Sequence, residues 1–122
     1  MSRNYDLQER TSKFGEGIIG FCRELRQDVI SRPIISQLVR SGTSIGANYM
    51  EACCASSRKD FRHKIFLSKK EAQETKFWLR MALQYFPDKK ETIARFTQEC
   101  GELICILQKS TDTLDENSEY RD

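Results

Sequence analysis

Proline and glycine are scarce in this chain, at two and six residues of 122. That leaves little material for the many tight turns of a sandwich or barrel and argues against an all-β fold. Histidine occurs once, at His63, which removes the usual material for a multi-histidine metal centre or an acid-base relay. The longest unbroken apolar run is five residues, Leu103 to Leu107, far below the ~20 that a membrane span needs. The first ten residues hold no apolar stretch that would serve as a signal peptide, so the expectation is a cytoplasmic chain with no membrane partner. Neither sign of charge dominates: 20 Lys and Arg stand against 18 Asp and Glu, a net +2, and net charge alone names no partner. The five cysteines (Cys22, Cys53, Cys54, Cys100, Cys105) contain no C-x-x-C spacing. Cys53 and Cys54 are adjacent, and neighbours on a helix point about 100° apart, a poor chelate. Three of the five fall on core positions, where a thiol behaves as a small hydrophobe; neither a metal nor another cofactor is expected.

What is present is a rhythm of threes and fours, four times over. Leu7, Thr11, Phe14, Ile18, Cys22 and Leu25 form the first stripe. Ile35, Leu38, Gly42, Ile45, Tyr49 and Ala52 form the second. The third runs Phe61, Ile65, Ser68, Ala72, Thr75, Leu79, Ala82, and the fourth Ile93, Phe96, Cys100, Leu103, Leu107, Ser110, Leu114. Such spacing keeps side chains on one face of an α-helix, and no segment shows the period of two that a strand requires. Pro33 suits a first helical turn. Ser57-Arg-Lys-Asp60 resembles a capping arrangement, and Phe86-Pro87-Asp88 breaks the third helix before the fourth. The connections are short, which makes neighbouring helices antiparallel. The reading is all-α: an antiparallel up-down four-helix bundle over residues 1–114. Its helices are expected near 6–26, 33–55, 58–85 and 88–111, with an acidic, disordered tail over 115–122. Gly15, Gly17 and Gly20 lie inside the first helix, each costing about 1 kcal/mol relative to Ala, and point in different directions.

Helices three and four carry more apolar surface than one stripe. Leu67, Phe77, Trp78 and Met81 lie away from the core stripe of the third helix, and Leu103 to Leu107 are apolar nearly all round the fourth. A helix apolar on two faces is buried on two faces. Self-association is one reading, with Leu67, Phe77, Trp78, Met81, Ile104, Cys105 and Ile106 at the contact; a wider core with some exposed hydrophobes is the other.

The second helix holds an unusual run of small residues, Arg40-Ser-Gly-Thr-Ser-Ile-Gly-Ala-Asn-Tyr49. Gly42 and Gly46, four apart, let another backbone approach one face; with Ser44, Ala47 and Asn48 they make a helix-packing signature. Gly42-Thr-Ser44-Ile-Gly46 also matches the G-x-S-x-G elbow of serine hydrolases, and Asp60 and His63 follow in that order. The elbow, however, sits between a strand and a helix on an α/β sheet, and no strand is expected here. Asp60 and His63, three apart on one helix, are poorly placed to serve Ser44. No catalytic residue is assigned, and the phosphate-cradling Gly-Lys-Ser/Thr of a P-loop is absent.

These residues carry a family resemblance. Arg40-Ser-Gly-Thr-Ser-Ile-Gly-Ala-Asn-Tyr-Met-Glu-Ala52, Ser57-Arg-Lys-Asp-Phe61, Lys70-Glu-Ala-Gln-Glu-Thr75, Trp78-Leu79 and Glu102-Leu-Ile-Cys-Ile-Leu107 resemble the bacterial 23S rRNA intervening-sequence proteins, over nearly the whole chain. The resemblance implies an antiparallel four-helix bundle assembled as a homopentameric ring, with no enzymatic activity attached. It further implies a fold shared with the accessory proteins of diversity-generating retroelements, which bind nucleic acid and a reverse transcriptase. The chain departs from the family pattern at Cys53-Cys54 and in its glycine-laden first helix.

The balanced net charge conceals an asymmetry. From Ser57 to Arg80 eight basic residues face three acidic ones, a local +5; from Gln98 to Asp122 two face seven, a local −5. Lys59, Arg62, Lys69, Lys76 and Arg80 share one face of the third helix with Phe66 between them, roughly 115° from the core stripe. Basic patches attract polyanions, and an aromatic among them offers a surface for unpaired bases; a merely solvated face is the competing reading. The sequence thus supports a non-enzymatic homo-oligomeric scaffold that meets RNA or DNA phosphates through this stripe. The alternative is a ring that docks a protein partner, such as a polymerase-type enzyme, and binds no nucleic acid itself.

Overall fold

The computed structural model describes residues 3–118, with side chains from Leu7 to Thr113. Four helices follow in order, α1 (Arg3–Arg23), α2 (Ser31–Cys53), α3 (Arg58–Tyr85) and α4 (Lys90–Ser118), and a single 3-10 turn, Pro87–Lys89, precedes the last. There is no strand among the described residues. Contacts between neighbours run in opposite senses. Arg40 meets Glu71 and Glu74 while Glu51 meets Lys64. Lys69 meets Gln108, and Cys100 meets Ala72. Each pair descends one helix as it climbs the next, so the bundle is antiparallel throughout, as the short connections require.

The four stripes converge. Ile18, Leu38, Ile45, Tyr49, Ile65, Leu79, Leu103 and Leu107 are all but fully buried. Ala72 and Ala82 keep α3 close to its neighbours. Two polar atoms within this core bond to backbone carbonyls: Ser68 Oγ donates to Ile45 O at 2.7 Å, bridging α3 to α2, and the Cys100 thiol donates to Ala72 O at 3.0 Å. Such bonds remove the cost of a buried hydroxyl.

The glycines of the second stripe act where two helices approach closely. A Cβ at Gly42 would lie 3.1 Å from Ile18, and one at Gly46 would lie 3.2 Å from Thr11, so α1 rests directly on this face of α2. Ser44 and Asn48 instead bond within their own helix, to Arg40 O and from Asn48 Nδ2 to Ser44 O, and Ala47 is exposed. The first-helix glycines divide as well. Gly15 faces the backbone of Gly42 and Thr43, Gly17 faces the Phe96 ring, and a Cβ at Gly20 would have no neighbour within 4 Å.

Helix ends differ from the expected bounds for chemical reasons. Asp28 Oδ1 accepts from the amides of Ile30 and Ser31 at 2.9 and 2.8 Å, and Ser31 Oγ donates to Arg26 O at 2.7 Å. This starts α2 at Ser31, two residues ahead of Pro33, and draws residues 24–30 out of α1. Tyr85 Oη donates to Asp28 Oδ2 at 2.6 Å. That phenol, with the Ser31 amide, holds the Asp28 carboxyl well below the ordinary range and pins the first loop to the end of α3. At the start of α3, Ser57 Oγ accepts from the Asp60 amide at 3.0 Å. The stretch expected as a tail from 115 begins inside α4, which continues to Ser118; residues 119–122 lie outside the described residues.

Candidate nucleic-acid interface

The charges of α3 sort into two edges according to the helix each faces. On the α2 side they are paired across the gap. Arg40 Nη1 reaches Glu71 Oε1 at 3.1 Å, and Arg40 Nη2 donates to Glu74. The Trp78 indole N–H donates to the same Glu74 carboxylate at 3.0 Å. Glu74 is therefore held below the ordinary carboxyl range, first by Trp78 and then by Arg40. Lower on this edge, Lys64 Nζ meets Glu51 Oε1 at 2.6 Å.

The α4 side is different. Among the described residues, Lys59, Lys69, Lys76 and Arg80 form no ion pair. The Lys69 ammonium donates instead to the neutral amide oxygen of Gln108 on α4, so its charge is oriented but not cancelled. Lys59, Arg62, Phe66 and Lys69, at i, i+3, i+7 and i+10, line one open concavity of about 460 Å³ together with His63, Ile65 and Thr111. Among the described residues no carboxylate lines it. Phe66 is 52% exposed there.

Of the six residues expected on the basic stripe, the structure gathers four in this concavity. Lys76 lies further along α3, in a shallow depression of about 740 Å³ over Gly101 of α4, walled by Leu83, Ile93, Ala94, Cys105 and Ile106. Arg80 lines neither. His63, Gln108 and Thr111 are additions: His63 stands one turn from Lys59 and was legible as such, while the two α4 residues needed the register of α4 against α3.

The seven residues expected at a contact between copies divide by depth. Phe77, 50% exposed, and Cys105 stand open to solvent. Leu67 and Met81 are half-buried, and Trp78, Ile104 and Ile106 pack against the core from its rim. The Phe77 and Trp78 rings meet edge to face at 5.0 Å. Sequence periodicity did not single out Val29 and Ile30, which stand 81% and 55% exposed on the first loop.

Other chemistries lack their geometry. Gly42 to Gly46 is continuous helix, so the apparent serine elbow has no strand beside it, and Ser44 Oγ donates to Arg40 O. Only Cys22 and Cys100 of the five thiols are buried, and Cys53, Cys54 and Cys105 are exposed, one fewer core cysteine than expected. Burial pushes the Cys22 thiol up to about 11 and the Cys100 thiol to about 12, which keeps both as inert thiols at neutral pH. Among the described residues no three His, Cys, Asp or Glu side chains gather to hold a metal ion. No helix among them is long and apolar enough to cross a membrane.

Residues 3–109 match the family model described as 23S rRNA-intervening sequence protein. Among solved structures the chain is similar to a protein of unknown function from the S23 ribosomal protein family of Bacteroides thetaiotaomicron VPI-5482. The identity is 29% and the TM-score 0.81, covering 88% of this chain and 96% of that one. No curated protein matches.

Proposed function

This chain belongs to the 23S rRNA-intervening sequence protein family, and from that premise we propose that it is a non-enzymatic, cytoplasmic scaffold that assembles with itself, as a pentamer, and holds nucleic acid by its phosphates. The observation that carries the reading is the concavity between α3 and α4. Lys59, Arg62 and Lys69 line it; among the described residues Lys59 and Lys69 form no ion pair, and the Lys69 ammonium is held by an amide that leaves its charge intact. Cations so placed release counterions when they meet phosphates. Nothing in the set resembles a base-reading motif, so binding is to the backbone and tolerant of sequence. The exposed Phe77 and Cys105, and the apolar depression over Gly101, support the assembly. That same depression favours the second reading, in which a protein partner docks on the ring and brings any nucleic acid with it.

Titration into labelled structured RNA, single-stranded DNA and duplex DNA at about 50 and 200 mM salt separates the two. Several phosphate contacts make affinity fall steeply between those salts. Reversing Lys69, Lys76 and Arg80 to Glu then abolishes binding while light scattering returns the wild-type mass. Absence of binding at the lower salt overturns the first reading in favour of the second. For assembly, Phe77→Glu is the cleaner test, because Ile104 also packs against the core. The expected result is a lower mass with unchanged helicity, and an unchanged mass removes Phe77 from the contact.

A further inference from the structure

We propose that the apolar depression between α3 and α4 is filled by a second copy of this chain, through the end of its α1 and the loop that follows. This contact rests on the self-assembly proposed above and supplies its two surfaces. Six large hydrophobic side chains stand exposed among the described residues, and three of them, Ile19, Val29 and Ile30, fall within one stretch of twelve. Val29 and Ile30 are neighbours, 81% and 55% exposed, on a loop that is held fast. Asp28 accepts from the Ile30 and Ser31 amides and from the Tyr85 phenol. Arg26 lies 5.4 Å from the Tyr85 ring centre and 5.8 Å from that of Phe86, and Leu25 is buried. A loop so fixed loses little freedom on docking, and its two aliphatic side chains bury little within their own chain.

The depression is the complementary shape. Its volume is about 740 Å³, Leu83, Ile93 and Ile106 wall it, and Gly101 of α4 lies beneath it. A Cβ at Gly101 would have no neighbour within 4 Å, so nothing in the same chain requires a glycine there. The bond from Tyr85 to Asp28 sets the loop at the end of the bundle where α3 stops, and Leu83, Lys90 and Ile93 line the depression at that same end. Copies standing side by side therefore bring the loop of one level with the depression of the next, without a shift along the bundle. The two patches differ, so the contact is heterologous; each copy offers one of each, and successive copies can close as a ring. Within one chain α1 meets α2 and α4 but not α3, which keeps the docking stretch clear of its own depression. Charge agrees with this pairing. Arg26 and Asp28 are engaged with each other, and Arg23 and Glu24 are the charges of the stretch that form no ion pair among the described residues. Lys90 and Glu91, exposed at the start of α4, supply the opposite signs. Lys76 lines the α3 wall further down and takes no part in these couples.

The test reads mass by sedimentation equilibrium and helicity by circular dichroism. Val29→Lys/Ile30→Lys spoils the loop, and Ala94→Arg/Gly101→Leu fills the depression. Val29, Ile30 and Ala94 are exposed and Gly101 has open space above it, so both variants keep the wild-type helicity. Each alone has the mass of one chain. Mixed in equal amounts, they form a species of two chains and none larger, because the intact depression of the first takes the intact loop of the second and no further junction is available. The mixture is run at about 1 mM of each chain, where even a contact with a Kd of about 1 mM is populated. A wild-type mass for either variant overturns the contact, leaves self-assembly to another surface and frees the depression for a foreign protein. A mixture that stays at the mass of one chain overturns the pairing of these two surfaces. A wild-type protein with the mass of one chain overturns self-assembly and the contact together.

Discussion

The two edges of α3 both carry long charged side chains, of mixed sign toward α2 and basic toward α4, and they differ in what answers them. On the edge facing α2, Arg40 is answered by Glu71 and Glu74, and Lys64 by Glu51. On the edge facing α4, Lys69 is answered by an amide, and Lys59, Lys76 and Arg80 form no ion pair among the described residues. Exposed pairs of the first kind contribute little to stability, typically below about 1 kcal/mol each, but they fix which helix lies beside which and leave no charge for a ligand. Charges of the second kind have no carboxylate to answer them among the described residues. What separates a paired from an unanswered lysine here is the neighbouring helix: Lys64 meets Glu51 of α2, whereas Lys69 meets the amide of Gln108 of α4.

The ridge between the edges is the place to break both together. Leu79 is fully buried in the α3 stripe, and Leu79→Ala is expected to cost about 2–5 kcal/mol. Thermal melting at fixed protein concentration should show a midpoint lower by several degrees per kcal/mol. Nucleic-acid binding and assembly should fail at the same temperature as the helices. A loss under about 1 kcal/mol would mean that the two edges do not share this support.

A smaller substitution converts one edge into the other. Gln108→Glu places a carboxylate where Lys69 now finds an amide. The expected effect on single-strand affinity is a roughly 3- to 10-fold loss, with the slope of log affinity against log salt smaller by about 0.7, the value of one phosphate contact. Stability should change by less than about 0.5 kcal/mol, because the new ion pair is offset by repulsion from Asp112, to which Gln108 Nε2 now donates at 2.9 Å. Gln108→Leu, which leaves the charge of Lys69 unanswered, should keep the wild-type slope. If it loses the slope as Gln108→Glu does, Lys69 depends on being aimed rather than on being unpaired.

Much of this was legible before the structure. Stripes at three and four positions carry helix type, and Gly42 and Gly46 announce a close helix pair, because both follow from local geometry. The same rotation placed Lys59, Arg62, Phe66 and Lys69 on one face. Pairing was not legible. Lys64 and Lys69 read alike as lysines of α3, and only the sideways register of α2 and α4 shows that one meets a carboxylate and the other an amide. The start of α2 was missed for a related reason. Pro33 is a strong local signal, whereas the Asp28 cap draws part of its strength from Tyr85, 57 positions away. The excess apolar surface was visible as a quantity, but its depth was not: Trp78, Ile104 and Ile106 look in sequence like Phe77 and Cys105, and only packing separates the rim of the core from the open face.

The smallest effect tests the paired edge itself. Arg40→Met keeps the aliphatic stem and removes the guanidinium from Glu71 and Glu74. At neutral pH and moderate salt the loss should be about 0.5–1 kcal/mol, the ordinary value of an exposed pair, and nucleic-acid affinity should stay within about twofold of wild type. The pH dependence follows from Glu74. Its carboxyl is held below the ordinary range by the Trp78 indole and by Arg40, so its contribution is present above the unfolded-state value of about 4.3 and is lost as pH falls through the lower folded value. The wild-type advantage over Arg40→Met should therefore be constant from neutral pH down to about 5 and shrink below about 4, as urea midpoints across that range would show. An advantage that persists at the acidic end would mean that Arg40 acts through packing against its neighbours. A fall in nucleic-acid affinity as large as that of Gln108→Glu would place the paired edge inside the binding surface, and the division of α3 into a structural and a functional side would not hold.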